Sequence, residues 1–201
     1  MEIGRFAVMG ISGGGPHAAV CAALLGGRLT AAAIVSGVGP LSDPRAFDGM
    51  VRLNQILAKL ARRRSPVVRA LVTAQVVVAR RWPGRAIELM PSQMPEADMA
   101  IVRRPEVRAL FELDAARSSR TTAVAAVQDL QLIAGDWGFE LGDITVPVHL
   151  WQGDADRNVP PNHARLQHEA IPGSVLQEVS GEGHLMGLDH IGEILETLKG
   201  A

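Results

Sequence analysis

A serine between glycines lies near the amino terminus, in the segment Gly10-Ile11-Ser12-Gly13-Gly14. The spacing Gly-x-Ser-x-Gly is typical of a sharp turn from strand to helix, in which the flanking glycines allow close packing and force the hydroxyl outward. Ser12 is therefore a candidate nucleophile. The next amide, that of Gly13, would lie at the positive end of the following helix, where it could donate a hydrogen bond to a developing oxyanion.

Serine is a weak nucleophile without an adjacent base, so a histidine and an acid are needed as well. Two carboxylates, Asp154 and Asp156, follow Gly153 directly after an apolar stretch. His184 follows the last predicted strand, in Gly181-Glu182-Gly183-His184. An imidazole held by one of these carboxylates could take the Ser12 proton and return it to a leaving group.

The elements around these residues predict a parallel sheet. Phe6 to Met9 is an uninterrupted apolar run and indicates a strand, and the alanine-rich segment from His17 to Leu25 indicates a helix. Ala31 to Ser36 indicates a second, buried strand. Two further strands are predicted at Val146 to Trp151 and at Ser174 to Val179. Functional groups of open parallel sheets gather beyond the carboxyl ends of the strands, where Ser12 and both loops would lie.

Helices are predicted throughout the long segment between the second and third strands. Ser65-Pro66 is typical of a helix start, with serine at the N-cap and proline in the first turn. Further helices are expected after Pro95, after Pro105 and from Thr121 to Ile133. Beyond the third strand, helices are predicted from about Asn162 to Ala170 and from about Leu188 to Leu198.

Three segments together resemble the serine-type α/β-hydrolase superfamily. They are Phe-Ala-Val-Met-Gly-Ile-Ser-Gly-Gly-Gly-Pro at residues 6–16, Trp-Gln-Gly-Asp-Ala-Asp-Arg-Asn-Val-Pro at 151–160 and Gly-Glu-Gly-His-Leu at 181–185. The resemblance implies an α/β fold with a parallel sheet of the α/β-hydrolase type. It also implies that residues 41–133 form an inserted helical cap, and that residues 1–40 and 134–201 form the core.

The resemblance also implies roles for individual residues. The family pattern has its acid three residues after a glycine and three before Val-Pro, which selects Asp156. Asp154 is then a turn residue, since aspartate can bond to its own backbone in a turn. The implied site is a catalytic triad of Ser12, Asp156 and His184, with Gly13 as an oxyanion donor.

The resemblance begins in the middle of the family's fold. In the resembling family the serine follows the fifth of eight strands, whereas here it follows the first, so we expect the amino-terminal strands to be absent. The second oxyanion amide of this fold is usually signalled by a His-Gly pair, and the sequence has none. The strand from Phe6 to Met9 would become a sheet edge, and we expect it to pair with a second copy of the chain or to aggregate.

Composition excludes other classes of function. A net charge of −1, the absence of tyrosine and an aromatic content of 3% argue against nucleic-acid binding. The chain has one cysteine, so it cannot form an internal disulfide. The amino terminus has no signal-peptide pattern, and the apolar stretch from Pro66 to Ala79 contains Arg69 and is too short to span a bilayer. We therefore expect a cytoplasmic protein without a membrane partner.

Neither a metal nor a cofactor is predicted. The six histidines have no metal-ligand spacing, and no dinucleotide-type glycine pattern follows a strand. His17 lies one turn beyond Ser12, where we expect it to make a structural hydrogen bond.

The predicted function is hydrolysis of an ester or related acyl bond through an acyl-enzyme on Ser12. Helices rich in Val, Leu, Met and Ala would cover the serine and favour a small hydrophobic substrate. The alternative is a truncated, non-catalytic hydrolase remnant that acts as a binding or assembly module.

Overall fold

The computed structural model describes residues 4–82, 84, 94–118 and 123–200. Within these ranges four parallel strands form one sheet, and their order in space equals their order in the sequence. The strands are β1 (Phe6–Ile11), β2 (Leu29–Val35), β3 (Val148–Gly153) and β4 (Val175–Val179). The predicted parallel α/β architecture is confirmed.

Helices connect the strands. Helix α1 (Gly14–Leu24) joins β1 to β2, α7 (Asn162–Ala170) joins β3 to β4, and α8 (Ile191–Lys199) follows β4. Five described helices lie between β2 and β3: α2 (Arg52–Arg62), α3 (Pro66–Arg81), α4 (Glu96–Val102), α5 (Pro105–Ser118) and α6 (Ala123–Ala134). No described residue between β2 and β3 is in a strand, as predicted. None of the described helices is long and apolar enough to span a bilayer.

Strand β2 lies inside the sheet and is the most buried strand. It pairs with β1 on one side and with β3 on the other, and six of its seven residues are buried, the exception being Thr30. Such a near-continuous apolar run is typical of a parallel strand that is covered on both faces. The strand begins at Leu29, which pairs with Phe6, two residues before its predicted start.

Other predicted boundaries also shift for local reasons. Strand β3 begins at Val148 instead of Val146, because Pro147 has no N–H to donate to a neighbouring strand. Helix α1 begins at Gly14 instead of His17, because helical hydrogen bonding already starts in the turn that contains Ser12. The last predicted helix, from about Leu188 to Leu198, is α8, which begins at Ile191 because Met186–Leu188 form a separate 3-10 turn.

The core has three parts. Alternate residues of β2 face opposite sides of the sheet, so Ala32 and Ile34 pack with α1, whereas Ala33 and Val35 pack with α8. A third cluster, which includes Val68, lies among α2, α3 and α6. The helices between β2 and β3 therefore share an apolar cluster, which Leu166 of α7 also joins. The domain boundaries proposed for the cap, residues 41 and 133, stay a prediction.

The turn between β1 and α1 depends on very close backbone contact. A Cβ at Gly10 would collide with the carbonyl oxygen of Gly14 and would lie 2.8 Å from the Ala18 Cβ. A Cβ at Gly15 would lie 2.8 Å from the Gly37 Cα. A Cβ at Gly14 would meet no atom within 4 Å. The expectation that both glycines of the motif permit close packing is thus correct for Gly10 and wrong for Gly14. The second close backbone contact is made by Gly15 instead.

Replacing Gly10 with alanine should therefore destabilise the protein. The new methyl group must displace the backbone of α1 or distort β1, and such overpacking costs about 1 to 3 kcal/mol. Urea unfolding followed by circular dichroism measures the change. The matched control is Gly14→Ala, which adds the same methyl group in open space at a helix start and should leave the free energy of unfolding within about 0.5 kcal/mol. Equal loss of stability in both variants would contradict this account of the turn.

Strand β1 lies at one edge of the described sheet, since it pairs with β2 alone among the described strands. Its Met9 and Ile11 side chains are 36% and 44% exposed, and Phe6–Ile11 contains no charged residue. Strand β4, at the other edge, carries Glu178, which is paired with Arg165. Charged side chains protect a sheet edge against pairing with another chain. The edge at β1 lacks that protection.

We expect the 201-residue chain to self-associate through β1. Sedimentation at micromolar concentration should show dimers or larger species. Met9→Lys should shift the equilibrium to monomer by placing a charge at the edge. Val175→Lys, at the start of β4, is the matched control and should leave the association equilibrium unchanged. A stable, well-folded monomer of the unaltered chain would contradict the expectation.

Candidate active site

Ser12 has a left-handed backbone conformation with a φ of 55°. Few residues other than glycine adopt it, at a cost of about 1 to 3 kcal/mol, so the surrounding structure must enforce it. The Ser12 N–H donates to the Val35 carbonyl at 2.9 Å, and the Ser12 carbonyl accepts from Gly15 and Val38, each at 3.0 Å. These three bonds tie the turn to the end of β2, to the loop beyond it and to the start of α1. The position of the hydroxyl is thereby fixed.

The structure brings Ser12, His184 and Asp156 together. The Ser12 Oγ lies 3.0 Å from His184 Nε2, and the Asp156 Oδ2 lies 2.8 Å from His184 Nδ1. The three residues follow β1, β4 and β3, so they meet at the carboxyl edge of the sheet. With an ionised Asp156 as its partner, Nδ1 of the neutral ring carries the proton, and Nε2 accepts from the Ser12 hydroxyl. The side chains of His184 and Asp156 are 14% and 0% exposed.

Asp156 is held by the loop that follows β3. Its Oδ1 accepts from the N–H groups of Asn158 at 2.8 Å and Val159 at 2.9 Å. Its Oδ2 lies 3.3 Å from the Gln152 Nε2, and Gln152 is fully buried. These contacts orient the carboxylate so that Oδ2 faces His184.

Asp154 lies near Asp156 in the sequence but does not contact His184. Its Oδ1 accepts from the Gly181 N–H at 2.7 Å, and its Oδ2 accepts from the Ser180 hydroxyl at 3.0 Å. Asp154 therefore joins two loops, in agreement with the predicted turn role.

Gly13 and His17 lie on the helix side of the site. Gly13 is the N-cap residue of α1, and the first amides of a helix have no partner within it. The His17 Nε2 lies 2.9 Å from the Asp129 Oδ1, which links α1 to α6. This confirms the structural hydrogen bond predicted for His17. Within the described ranges, no group of three or more His, Cys, Asp or Glu residues is arranged to hold a metal ion.

Sequence analysis missed two residues near the site. Asp98, on α4, is fully buried and accepts from the backbone N–H groups of His184 and Leu185 at 3.0 and 2.7 Å. Acidic residues are common in the first turn of a helix, so its position gave no signal. The position of Gln152 did give a signal, because a polar residue in a buried apolar strand needs a polar partner.

The pKa values of two histidines, His184 and His163, are shifted in opposite directions. Burial lowers the pKa of His184, but the hydrogen bond and charge of Asp156 and the charge of Asp98 outweigh burial, so the pKa is raised above its usual value. The pKa of His163 is lowered to about 4, mainly by burial. The Gly39 N–H donates to the His163 Nδ1 at 2.9 Å, which fits a neutral ring.

Comparison with known proteins gives one family. The family model for serine aminopeptidase, S33, matches residues 2–186. None of the curated proteins matches the chain.

Several solved structures are similar to this chain. A hydrolase from Pseudomonas aeruginosa PA01 is 14% identical with a TM-score of 0.66, over 99% of this chain and 66% of that one. A thermophilic esterase from Thermogutta terrifontis, with malate bound, is 19% identical with a TM-score of 0.63, over 98% of this chain and 64% of that one. The enol-lactonase from Burkholderia xenovorans LB400 is 21% identical with a TM-score of 0.60, over 98% of this chain and 65% of that one. The chain thus spans less than two thirds of the length of these structures, and such identities establish the fold alone.

Replacing Asp156 with asparagine should lower the pKa of His184. The variant removes the charge and the hydrogen bond that raise this pKa and keeps the size of the side chain. We expect NMR titration of the imidazole to give a midpoint above about 6.5 in the unaltered chain and a lower midpoint in Asp156→Asn. His190 is the internal reference, because burial lowers its pKa and Glu182 and Glu193 raise it, without a contribution from Asp156.

The raised pKa of His184 also predicts how the free energy of unfolding depends on pH. Because folding raises the pKa of His184, the protonated ring stabilises the folded state. This contribution is complete below about pH 6.5, the pKa of unfolded histidine, and is lost as the pH rises through the folded pKa. If His184 titrated at or below the value for unfolded histidine, the assigned electrostatics would be wrong.

Proposed function

We propose, from the premise that this chain belongs to the serine aminopeptidase family S33, that it is a serine hydrolase acting on an ester or related acyl bond. The family confirms the resemblance to α/β-hydrolases, and the four-stranded parallel sheet agrees with it. The observation that carries the proposal is the contact of His184 with both Ser12 and Asp156, at 3.0 and 2.8 Å.

The proposed reaction begins with proton transfer from Ser12 to His184. The Oγ attacks the substrate carbonyl carbon while Nε2 takes the hydroxyl proton, and Asp156 stabilises the imidazolium. The tetrahedral intermediate collapses, and His184 gives its proton to the leaving group. A water molecule then attacks the acyl-enzyme with His184 again as base, which releases the acid and restores Ser12.

Gly13 is the proposed oxyanion donor. Its N–H lies at the positive end of α1, next to the nucleophile, where negative charge would develop on the substrate oxygen. One such donor is worth about 10² to 10³ in kcat.

We propose a small hydrophobic acyl group as the part of the substrate near Ser12. The Ile133 Cδ1 lies only 3.1 Å from the place of a Cβ on Gly13, so an apolar side chain adjoins the proposed oxyanion amide. Ile133 is near the end of α6, whose sequence is mostly apolar.

Ser12→Ala should abolish hydrolysis of p-nitrophenyl esters. Removal of a nucleophile of this type lowers kcat by about 10⁴- to 10⁶-fold. A fluorophosphonate probe, followed by peptide mapping, should modify Ser12 in the unaltered chain and nothing in the variant. Ser42→Ala is the matched control, because Ser42 is an exposed serine, and it should keep both activity and labelling.

Two outcomes would count against the proposal. Modification elsewhere while Ser12 stays free would exclude it as the nucleophile, and a folded chain without turnover would favour the non-catalytic binding or assembly module. A panel of esters tests the substrate, since cleavage of charged acyl groups alone would contradict a hydrophobic one.

A further inference from the structure

A carboxylate from the helices between β2 and β3 lies against the loop that carries His184. We propose that Asp98, on α4, is a positioning residue that fixes this loop so that His184 stays in contact with Ser12. The proposal deepens the proposed function and rests on it, because it assigns a role toward the same base.

Asp98 holds the loop with both of its oxygens. Oδ2 accepts from the His184 N–H at 3.0 Å, and Oδ1 accepts from the Leu185 N–H at 2.7 Å. The residue is 0% exposed. A buried carboxylate is costly unless its oxygens are hydrogen-bonded, and consecutive backbone amides form a favourable site for an anion. The two bonds therefore fix the backbone on which the imidazole is carried.

Gly183 shows how closely α4 and the loop approach. A Cβ at this position would lie 2.5 Å from both oxygens of Asp98 and from its Cγ. Any larger residue would push the carboxylate away from the amides of His184 and Leu185. The glycine before the histidine is thus explained by Asp98.

A second link lies on the other side of the loop. Arg104, two residues beyond α4, donates to both carboxylate oxygens of Asp189 at 2.5 and 2.7 Å. An exposed pair of this kind contributes little stability by itself. Its two parallel bonds define the orientation of α4 relative to the segment that follows His184. Asp98 and Arg104 are therefore hydrogen-bonded to residues before and after the 3-10 turn Met186–Leu188.

The charge of Asp98 also acts on the base. It adds to the effect of Asp156 in raising the pKa of His184 against the lowering effect of burial. The two carboxylates reach His184 differently, since Asp156 contacts the ring whereas Asp98 contacts the backbone. Loss of Asp98 should therefore change both the geometry of the base and its pKa.

The test is Asp98→Asn, which keeps the size of the side chain, removes its charge and turns an N–H group toward one of the two amides. We expect the NMR titration midpoint of His184 to move to lower pH, since the charge of Asp98 contributes to raising its pKa. We expect kcat for ester hydrolysis to fall about 10- to 100-fold with little change in KM, because displacement of a catalytic group by about 1 Å has effects of this size.

The matched control is Glu96→Gln. Glu96 lies on the same helix and carries the same charge, but its side chain is 78% exposed and is paired with Arg103. This variant should leave both kcat and the titration of His184 unchanged. An equal effect of the two variants would show that only the net charge of the helix matters and would overturn the proposal.

Titration of His184 and exchange of the His184 and Leu185 amide protons need no turnover, so the proposal is tested even if the chain hydrolyses nothing and the proposed function fails. A folded Asp98→Asn in which His184 titrates as in the unaltered chain overturns the proposal. If that variant does not fold, Asp98→Ser is used, since it is smaller and keeps one acceptor oxygen. In the unaltered chain the amide protons of His184 and Leu185 should exchange slowly, and exchange at the rate of an unprotected amide would also overturn it.

Discussion

The backbone of Ser12 is the point on which the arrangement of this molecule depends. Its left-handed conformation is enforced by hydrogen bonds to Val35, Gly15 and Val38, which bind β1, β2 and α1 to one short turn. Those bonds require the backbones to approach so closely that Gly10 and Gly15 have no room for a side chain. The strained turn, the glycine pattern and the pairing of the first two strands are therefore one feature. It presents a hydroxyl at the carboxyl edge of the sheet.

The two buried carboxylates around that hydroxyl follow a common rule, in which each is held by backbone amides. Asp156 accepts from two amides in its own loop, and Asp98 accepts from two amides in the loop of His184. Both carboxylates are thereby kept close to one imidazole with little access to water. The pKa of that imidazole is raised in spite of its burial. The loops after β3 and β4 thus determine the electrostatics of the site as well as its geometry.

The sequence was informative where one local pattern determines the structure. All four predicted strands are present, and glycine-bounded loops after strands indicated Ser12, His184 and a carboxylate, of which the resemblance to α/β-hydrolases selected Asp156; the structure brings these three residues together. Contacts between distant segments could not be predicted. Asp98 has the pattern of any acid in a first helical turn, and only the tertiary structure brings it to residues 184 and 185. The open space beside Gly14 also depends on how α1 packs, which no spacing rule contains.

The hydrogen bonds of Asp98 limit how this architecture can be recombined. Helices inserted between two strands are often treated as modules that can be exchanged between related proteins to change their substrates. Here one of those helices provides the acceptor for two consecutive amides of the core. A transplanted insertion without a carboxylate at this place would remove the acceptor of both partly buried amides, at a cost of up to about 1 to 3 kcal/mol each. In a chimaeric protein, the segment that contains Asp98 and the loop that contains His184 would have to come from the same parent.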